Sequence, residues 1–155
     1  MAHIYTFEGM TPRVHETAFL APTAVLIGNV TIGAHASIWY GAVLRGDSAA
    51  NGIVIGARTS IQDNCVLHVT HDRWPTVVAE EVTIGHGAIV HGCTVKRGAL
   101  IGMGARVLDG AVVGECALVA GVPAKVKRDL TDAEIERLEM SWRHYIQTKE
   151  KYLAQ

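Results

Sequence analysis

Aliphatic residues recur every six positions through most of this 155-residue chain. An α-helix repeats its apolar positions about every 3.6 residues and a half-buried strand about every two, so neither explains this period. A six-residue period is typical of a parallel β-helix, in which each step is a short strand plus a turn and three steps complete one coil. The aliphatic positions are Val14, Leu20, Leu26, Ile32, Ile38, Leu44, Ile55, Ile61, Leu67, Val78, Ile84, Val90, Val95, Ile101, Val107, Val113 and Val119.

The rhythm changes phase at three places. The distance along the chain from one aliphatic position to the next is eleven residues in intervals 44–55 and 67–78, and five residues in interval 90–95. Because each interval is one residue short of a whole number of six-residue steps, each eleven-residue interval is interpreted as two steps. This count predicts about six coils, and at about 4.8 Å per coil it predicts a prism roughly 30 Å tall.

A helical pattern follows the end of the repeats. Thr131 with Glu134 three residues later is a capping box, which marks the start of a helix. Apolar residues then recur at helical spacing and predict one C-terminal α-helix over about 131–153. We interpret 1–155 as a single domain, with the β-helix over about 10–125. The apolar stripe of the helix consists of Ile135, Leu138, Trp142, Tyr145 and Ile146.

Composition narrows the range of partners and locations. The net charge of -1 and pI near 6.7 give no electrostatic reason to expect nucleic acid or a membrane surface as a partner. The chain begins without the basic start and apolar run of a signal peptide, which favours the cytoplasm. Cys65, Cys93 and Cys116 form no CxxC motif, so we expect reduced thiols that fill the core.

Three histidines, His68, His86 and His91, are the candidate metal ligands. Three neutral imidazoles form the ligand set of a catalytic zinc site with one open position. The step count above puts Leu67 and Ile84 on the same face of successive coils, with His91 one face further round. All three histidines then fall within about one coil in height. The alternative interpretation is three unrelated surface histidines in glycine-rich turns.

Four further polar residues belong to the candidate site. The same count puts Arg45 and Gln62 on one face of successive coils, just before the face that bears His68. Asp47 and Asp63 follow them closely in the sequence. Their alternative role is a salt-bridged subunit interface, which is compatible with a site located at that interface.

Together these motifs resemble the γ-class carbonic anhydrases and their shorter bacterial relatives over roughly residues 10–153. The resemblance implies a left-handed β-helix and a homotrimer with a metal at each subunit interface. It also implies that His68 and His91 come from one chain and His86 from its neighbour. The segments that carry it are 44–47 (LRGD), 61–68 (IQDNCVLH), 68–72 (HVTHD) and 84–93 (IGHGAIVHGC).

The resemblance also implies a role for each polar residue. Arg45 and Asp47 match a pair that ties subunits together near the bound anion, and Asp63 matches a residue that supports the site. Gln62 and Tyr145 match residues that lie near the metal-bound water. The implied activity is reversible hydration of CO2 to bicarbonate by a metal-bound hydroxide. Zn²⁺ is the expected metal, with Fe²⁺ or Co²⁺ as alternatives.

The chain departs from the longer enzymes of this family in two respects. Only seventeen residues lie between His68 and His86, which leaves no room for the acidic proton-shuttle loop of those enzymes. Ser60 stands where they have an asparagine. His71 is a candidate replacement shuttle, although a solvent-exposed loop histidine is the simpler interpretation.

Two other classes of function stay open. The first is an acyl-CoA enzyme, either a metal-dependent thioesterase or a hexapeptide acyltransferase, because 121–125 (GVPAK) resembles the final coil of such transferases. Hexapeptide acyltransferases generally use a single histidine base without metal, so three histidines argue against that form. The second is a metal-binding structural protein without turnover.

Overall fold

The computed structural model describes residues 1–154, apart from the side chain at position 153. Within this range nineteen short strands precede one helix, α1 (Asp132–Leu153). The strands are β1 (His3–Tyr5), β2 (Arg13–Val14), β3 (Phe19–Leu20), β4 (Val25–Gly28), β5 (Val30–Ile32), β6 (Ser37–Ile38), β7 (Val43–Gly46), β8 (Ile53–Ile55), β9 (Ser60–Ile61), β10 (Val66–His68), β11 (Thr76–Val78), β12 (Thr83–Ile84), β13 (Ile89–His91), β14 (Thr94–Val95), β15 (Leu100–Ile101), β16 (Arg106–Val107), β17 (Val112–Val113), β18 (Ala117–Ala120) and β19 (Lys125–Asp129).

The first eighteen strands form three flat faces of a prism, each with six parallel strands. The first face contains β1, β4, β7, β10, β13 and β16, and the second contains β2, β5, β8, β11, β14 and β17. The third face contains β3, β6, β9, β12, β15 and β18, and β19 extends it with an antiparallel pair. The predicted fold class, a hexapeptide-type parallel β-helix of about six coils followed by one C-terminal helix, is confirmed.

The predicted step count is wrong at the two eleven-residue intervals. Strand β7 on the first face leads directly to β8 on the second face, and β10 leads in the same way to β11. Each interval is therefore one step that contains an inserted loop, at residues 47–52 and 69–75. Both loops project from the corner between the first and second faces. The face assignments that depended on two steps must be corrected, as described below.

The core is a column of aliphatic side chains stacked in register. On the first face Leu26, Leu44, Leu67, Val90 and Val107 follow one another on successive coils. None of these side chains is more than 2% exposed. Full burial of such a side chain stabilises a fold by about 1.5–3 kcal/mol, so the stack holds the first face rigid.

Helix α1 begins with the predicted capping box, which is confirmed. The Thr131 hydroxyl accepts a hydrogen bond from the Glu134 backbone, and the Glu134 carboxylate accepts one from the Thr131 N–H. The helix packs on the third face, where the ring centroids of Tyr145 and Trp39 are 5.5 Å apart. Within the residues described, no helix combines the length and the apolar character needed to cross a membrane.

Candidate metal centre

Arg45, His68 and His91 form one row on the first face. His68 lies in register with Arg45 on one side and with His91 on the other, each one coil away. Their neighbours in sequence point into the core, so the alternation of a strand directs these three side chains outward. Two predictions are corrected here: His91 shares the face of His68, and Arg45 lies on that face too.

The carboxylate of Asp47 holds the ring of His68. The distance from His68 Nε2 to Asp47 Oδ1 is 2.8 Å, and Arg45 forms an ion pair with the same carboxylate. Burial alone would raise the pKa of Asp47, but the hydrogen bond from His68 and the charge of Arg45 outweigh it and keep the pKa below its ordinary value. Asp47 is therefore ionised at neutral pH, and His68 Nε2 must carry the proton of this hydrogen bond.

A second carboxylate, that of Asp109, holds His91 in the same way. Asp109 Oδ1 lies 2.5 Å from His91 Nδ1, and the Thr70 hydroxyl donates to Asp109 Oδ2 at 2.6 Å. The Thr70 hydroxyl and the hydrogen bond with His91 lower the pKa of Asp109, although burial opposes this shift. Because Asp109 is ionised, His91 Nδ1 must be the protonated nitrogen.

The remaining nitrogens of the two rings face each other. His68 Nδ1 and His91 Nε2 are 2.8 Å apart. In neutral rings both nitrogens present lone pairs, which repel each other unless a proton or a metal cation lies between them. Two nitrogens bound tetrahedrally to one zinc, each at about 2.0–2.1 Å, lie roughly 3.3 Å apart. A movement of about half an ångström would open this pair for a divalent metal, so the two donors fit one.

The third histidine has its own carboxylate on a different corner. His86 lies in the turn between β12 and β13, where the third face meets the first, and its Nδ1 is 3.0 Å from Asp63 Oδ2. The backbone N–H of His86 donates to Gln62 Oε1 at 3.1 Å, and Gln62 Nε2 donates to the Tyr145 hydroxyl at 2.5 Å. The side chain of His86 is 54% exposed and thus free to meet another molecule.

The face predicted for Gln62 is also corrected. Gln62 and Asp63 follow β9 on the third face, whereas Arg45 lies on β7 of the first face. Likewise Leu67 and Ile84 do not share a face, because Leu67 pairs with Val90 whereas Ile84 is on the third face. The candidate residues thus form two groups at two corners of the prism.

One chain does not assemble a three-ligand site. Within residues 1–154, no three histidine, cysteine, aspartate or glutamate side chains are arranged to hold a metal ion. The first group, the donor pair, comprises His68 and His91 with their carboxylates. The second group is His86 with Asp63, Gln62 and Tyr145. The three candidate histidines therefore do not meet within one chain.

Sequence reasoning missed Asp109 and Thr70. A signal for Asp109 was available, because it follows His91 by eighteen residues, about the length of one coil. Val90 pairs with Val107, seventeen residues on, so Asp109 lies one position beyond the residue in register with His91. Thr70 offered no such signal, because it belongs to the inserted loop 69–75.

The other polar residues named in the sequence analysis lie outside the two groups of the candidate site. Ser60 is buried, and its hydroxyl accepts a hydrogen bond from the Trp39 indole at 3.2 Å. His71 is exposed in loop 69–75 beside Asp72.

Burial raises the pKa of the Cys65 thiol to about 11 and that of Cys93 to about 12, as expected for inert core residues. The third cysteine, at position 116, is partly exposed, and all three are free thiols.

Sequence comparison relates the chain to carbonic anhydrases and to CaiE proteins. It is 43% identical to the mitochondrial γ carbonic anhydrase 2 of Arabidopsis thaliana, over 88% of this chain and 56% of the plant protein. It is 38% identical to a carbonic anhydrase of Geobacillus kaustophilus, over 97% and 91% of the two chains. It is 40% identical to the carnitine operon protein CaiE of Escherichia coli, over 91% and 80%.

Solved structures agree with this relationship. A hexapeptide transferase family protein from Anaplasma phagocytophilum superimposes with a TM-score of 0.82 at 38% identity, over 97% of this chain and 98% of the other. A candidate acetyltransferase of Bacillus cereus gives a TM-score of 0.84 at 31% identity, over 97% and 96%.

These likenesses define the family. The chain belongs to the hexapeptide-repeat family that contains the γ-class carbonic anhydrases and CaiE. It spans 56% and 60% of the lengths of two plant relatives. No family model matches the chain.

Proposed function

We propose that this chain is a γ-class carbonic anhydrase-like metalloenzyme that reversibly hydrates CO2 to bicarbonate. The observation that carries the proposal is that each of the three candidate ligands, His68, His86 and His91, has a ring nitrogen within 3.0 Å of its own carboxylate. Metal-binding histidines generally donate their second N–H to such a group, which fixes the ring and its tautomer. Three separate carboxylate–histidine pairs are not needed by a solvated protein surface.

The proposed metal is Zn²⁺, with Fe²⁺ or Co²⁺ as alternatives, held by His68 and His91 of one chain and His86 of a neighbour. A bound divalent metal supplies hydroxide near neutral pH, because it lowers the pKa of water from 15.7 to about 7. The carboxylates of Asp47 and Asp63 orient their histidines. Neutral imidazoles leave the full charge of the metal in place.

Other side chains are proposed to bind and orient the reactants. Arg45 stands one coil from His68, and its cationic group attracts bicarbonate toward the donor pair. Gln62 is buried, with its amide oxygen fixed by the His86 backbone and one N–H donated to Tyr145. This arrangement leaves the second amide N–H of Gln62 and the Tyr145 hydroxyl hydrogen available to orient a water molecule.

A homotrimer is the proposed assembly. A row of apolar side chains, Val43, Val66 and Ile89, faces outward beside the donor pair, and Val66 is 38% exposed. A neighbouring copy would cover this row and bring its His86 to the donor pair. Closed rings of identical chains arise when one surface patch binds a different patch of the next copy. We also propose a cytoplasmic location, which the three free thiols support.

The proposal is tested by stopped-flow CO2 hydration together with metal analysis of the same sample. We expect hydration that tracks about one metal per chain, which is the stoichiometry of a shared three-histidine site. His91→Ala should lose metal and activity together while circular dichroism shows an intact β-helix. His3→Ala is the matched control, because His3 lies exposed on β1. Retained activity in metal-free His91→Ala protein would refute the proposal.

An acyl-CoA reaction is the second candidate function. It is favoured by the likeness to the Anaplasma hexapeptide transferase family protein and the Bacillus candidate acetyltransferase. Full metal occupancy without CO2 hydration would select it, and acyl-CoA thioesters would then be the substrates to assay. Hydrolysis that depends on the metal would indicate a thioesterase, whereas metal-independent transfer to an amine or hydroxyl would indicate a transferase. A metal-loaded protein inactive in every assay would be structural.

A further inference from the structure

We propose that Asp109, held by Thr70, is a positioning residue that fixes the His91 imidazole with its proton on Nδ1 and its Nε2 free to bind metal. This inference rests on the proposed metal site and assigns a role to two residues that the repeat motifs do not include. The geometry is a continuous chain of hydrogen bonds from the Thr70 hydroxyl through both Asp109 oxygens to His91.

The direction of each hydrogen bond determines the tautomer. The Thr70 hydroxyl donates to Asp109 Oδ2, so the carboxylate is fixed from the side opposite to His91. Its Oδ1 can only accept, and the Nδ1 of His91 is therefore the donor. Since a neutral imidazole carries one N–H, Nε2 is left with a lone pair directed toward His68. In water imidazole exchanges between tautomers, and this arrangement selects the one that can bind metal.

The backbone around His91 leaves space for this carboxylate. Gly92 has a φ of +51°, and a Cβ there would lie 2.6 Å from Asp109 Oδ1 and 2.9 Å from Thr70 Oγ1. The N–H of Gly92 donates to the buried Thr76 hydroxyl at 2.9 Å, and that hydroxyl donates to the His68 carbonyl oxygen. Through Thr76, hydrogen bonds thus connect the backbone of His68 to the backbone next to His91, close to the hydrogen-bond chain from Thr70 to His91.

The test compares three variants with wild type by two measurements that do not depend on turnover. Asp109→Ala removes the acceptor, Asp109→Asn keeps an acceptor oxygen, and Thr70→Val removes the donor that orients the carboxylate. The first measurement is the His91 tautomer in metal-free protein by ¹⁵N-edited NMR. The second is the zinc dissociation constant by chelator competition. Asp129→Asn, at an exposed position of β19, is the control.

We expect wild type and the Asp129→Asn control to hold His91 with the proton on Nδ1. Asp109→Ala should lose this tautomer and weaken zinc binding about 10- to 100-fold, the range for loss of a group that orients a metal ligand. Asp109→Asn should keep the tautomer and lose less affinity, and Thr70→Val should fall between wild type and Asp109→Ala. If Asp109→Ala fails to fold, Asp109→Asn still tests the inference. A zinc affinity below that of wild type, with the His91 tautomer unchanged, would support the positioning role of Asp109.

Unchanged tautomer and zinc affinity in folded Asp109→Ala, or in Asp109→Asn and Thr70→Val together, would overturn the inference. Its failure can be told apart from failure of the proposed function. If the variants show these changes in tautomer and zinc affinity but wild-type protein does not hydrate CO2, the proposed function is wrong and the positioning role of Asp109 is supported. Wild-type protein with no affinity for zinc would overturn both.

Discussion

At the scale of single residues, the proposed metal centre depends on the absence of a side chain at Gly92. The left-handed φ of +51° at this position is costly for any residue with a Cβ, by about 1–2 kcal/mol. The more specific demand is space, because a Cβ would collide with the Asp109 carboxylate at 2.6 Å. Gly104 separates the two effects: its φ of +68° is also left-handed, but a Cβ there would meet nothing within 4 Å.

We therefore predict different outcomes for Gly92→Ala and Gly104→Ala. Both should lower the free energy of unfolding by about 1–2 kcal/mol through backbone strain. Only Gly92→Ala should also weaken zinc binding, because the carboxylate must move away from His91. Urea unfolding and chelator competition measure the two effects. Equal zinc affinity in the two variants would show that the carboxylate adapts to the added methyl group.

At the scale of elements, the coils are joined at the corner between the second and third faces by a ladder of charges. Arg58, Glu81 and Arg97 lie in turns of three successive coils, after β8, β11 and β14. Arg58 Nε donates to Glu81 Oε1 at 3.0 Å, and Arg97 Nη2 lies 2.7 Å from Glu81 Oε2. Burial would raise the pKa of Glu81, but the hydrogen bonds and charges of Arg97 and Arg58 lower it overall. Glu80 also contacts both arginines.

The lowered pKa of Glu81 predicts a pH-dependent contribution to stability. A carboxylate with a depressed folded pKa stabilises the protein above its unfolded pKa, about 4.3, and this contribution is lost as pH falls through the folded value. Glu81→Gln should therefore be less stable than wild type by about 1 kcal/mol at neutral pH, with the difference narrowing as the pH falls below the unfolded value.

Urea unfolding at several pH values measures this difference, with Glu136→Gln, at an exposed position on α1, as the control. We expect the control to follow the wild-type curve throughout. A Glu81→Gln difference that stays constant across the pH range would contradict an ionised glutamate as its source.

The strands and the helix could largely be predicted from the sequence, because the burial of side chains within each element leaves a short-range pattern of apolar residues. The six-residue rhythm marks the inward residue of nearly every strand, and the capping box at Thr131 marks the start of α1. The intervals 44–55 and 67–78 could not be assigned in the same way. A five-residue insertion in one step and a one-residue deficit in two steps have the same length, and only strand pairing distinguishes them.

At the scale of the whole molecule, the two groups of the candidate site lie on different corners, and this arrangement could not be predicted from residue spacing. The candidate ligands His68, His86 and His91 were proposed from their motifs. Which of them share a face depended on the step count, so the pairing of His68 with His91 emerged only in the folded chain. A contact between copies leaves no period in the sequence of one chain, and only the family resemblance suggested it.

The proposed division of the metal site between copies leads to a further prediction about mixed assemblies. His86→Ala chains keep the donor pair, whereas His91→Ala chains keep the exposed His86. Each variant alone should bind no zinc at the site and show no CO2 hydration. In a random equal mixture, a site is complete when a His86→Ala chain supplies the donor pair and its neighbour is a His91→Ala chain. About one quarter of the sites should then be restored in a closed ring of copies.

Co-expression of the two variants, followed by zinc analysis and stopped-flow hydration of the purified mixture, measures this recovery. Chains that carry both substitutions are the control, since no arrangement of them completes a site. Recovery near one quarter of wild-type zinc and activity would mean that the histidines of one centre come from two chains. A mixture as inactive as its separate components would mean that the histidines of two chains do not complete one centre, and the proposed shared site would then be wrong.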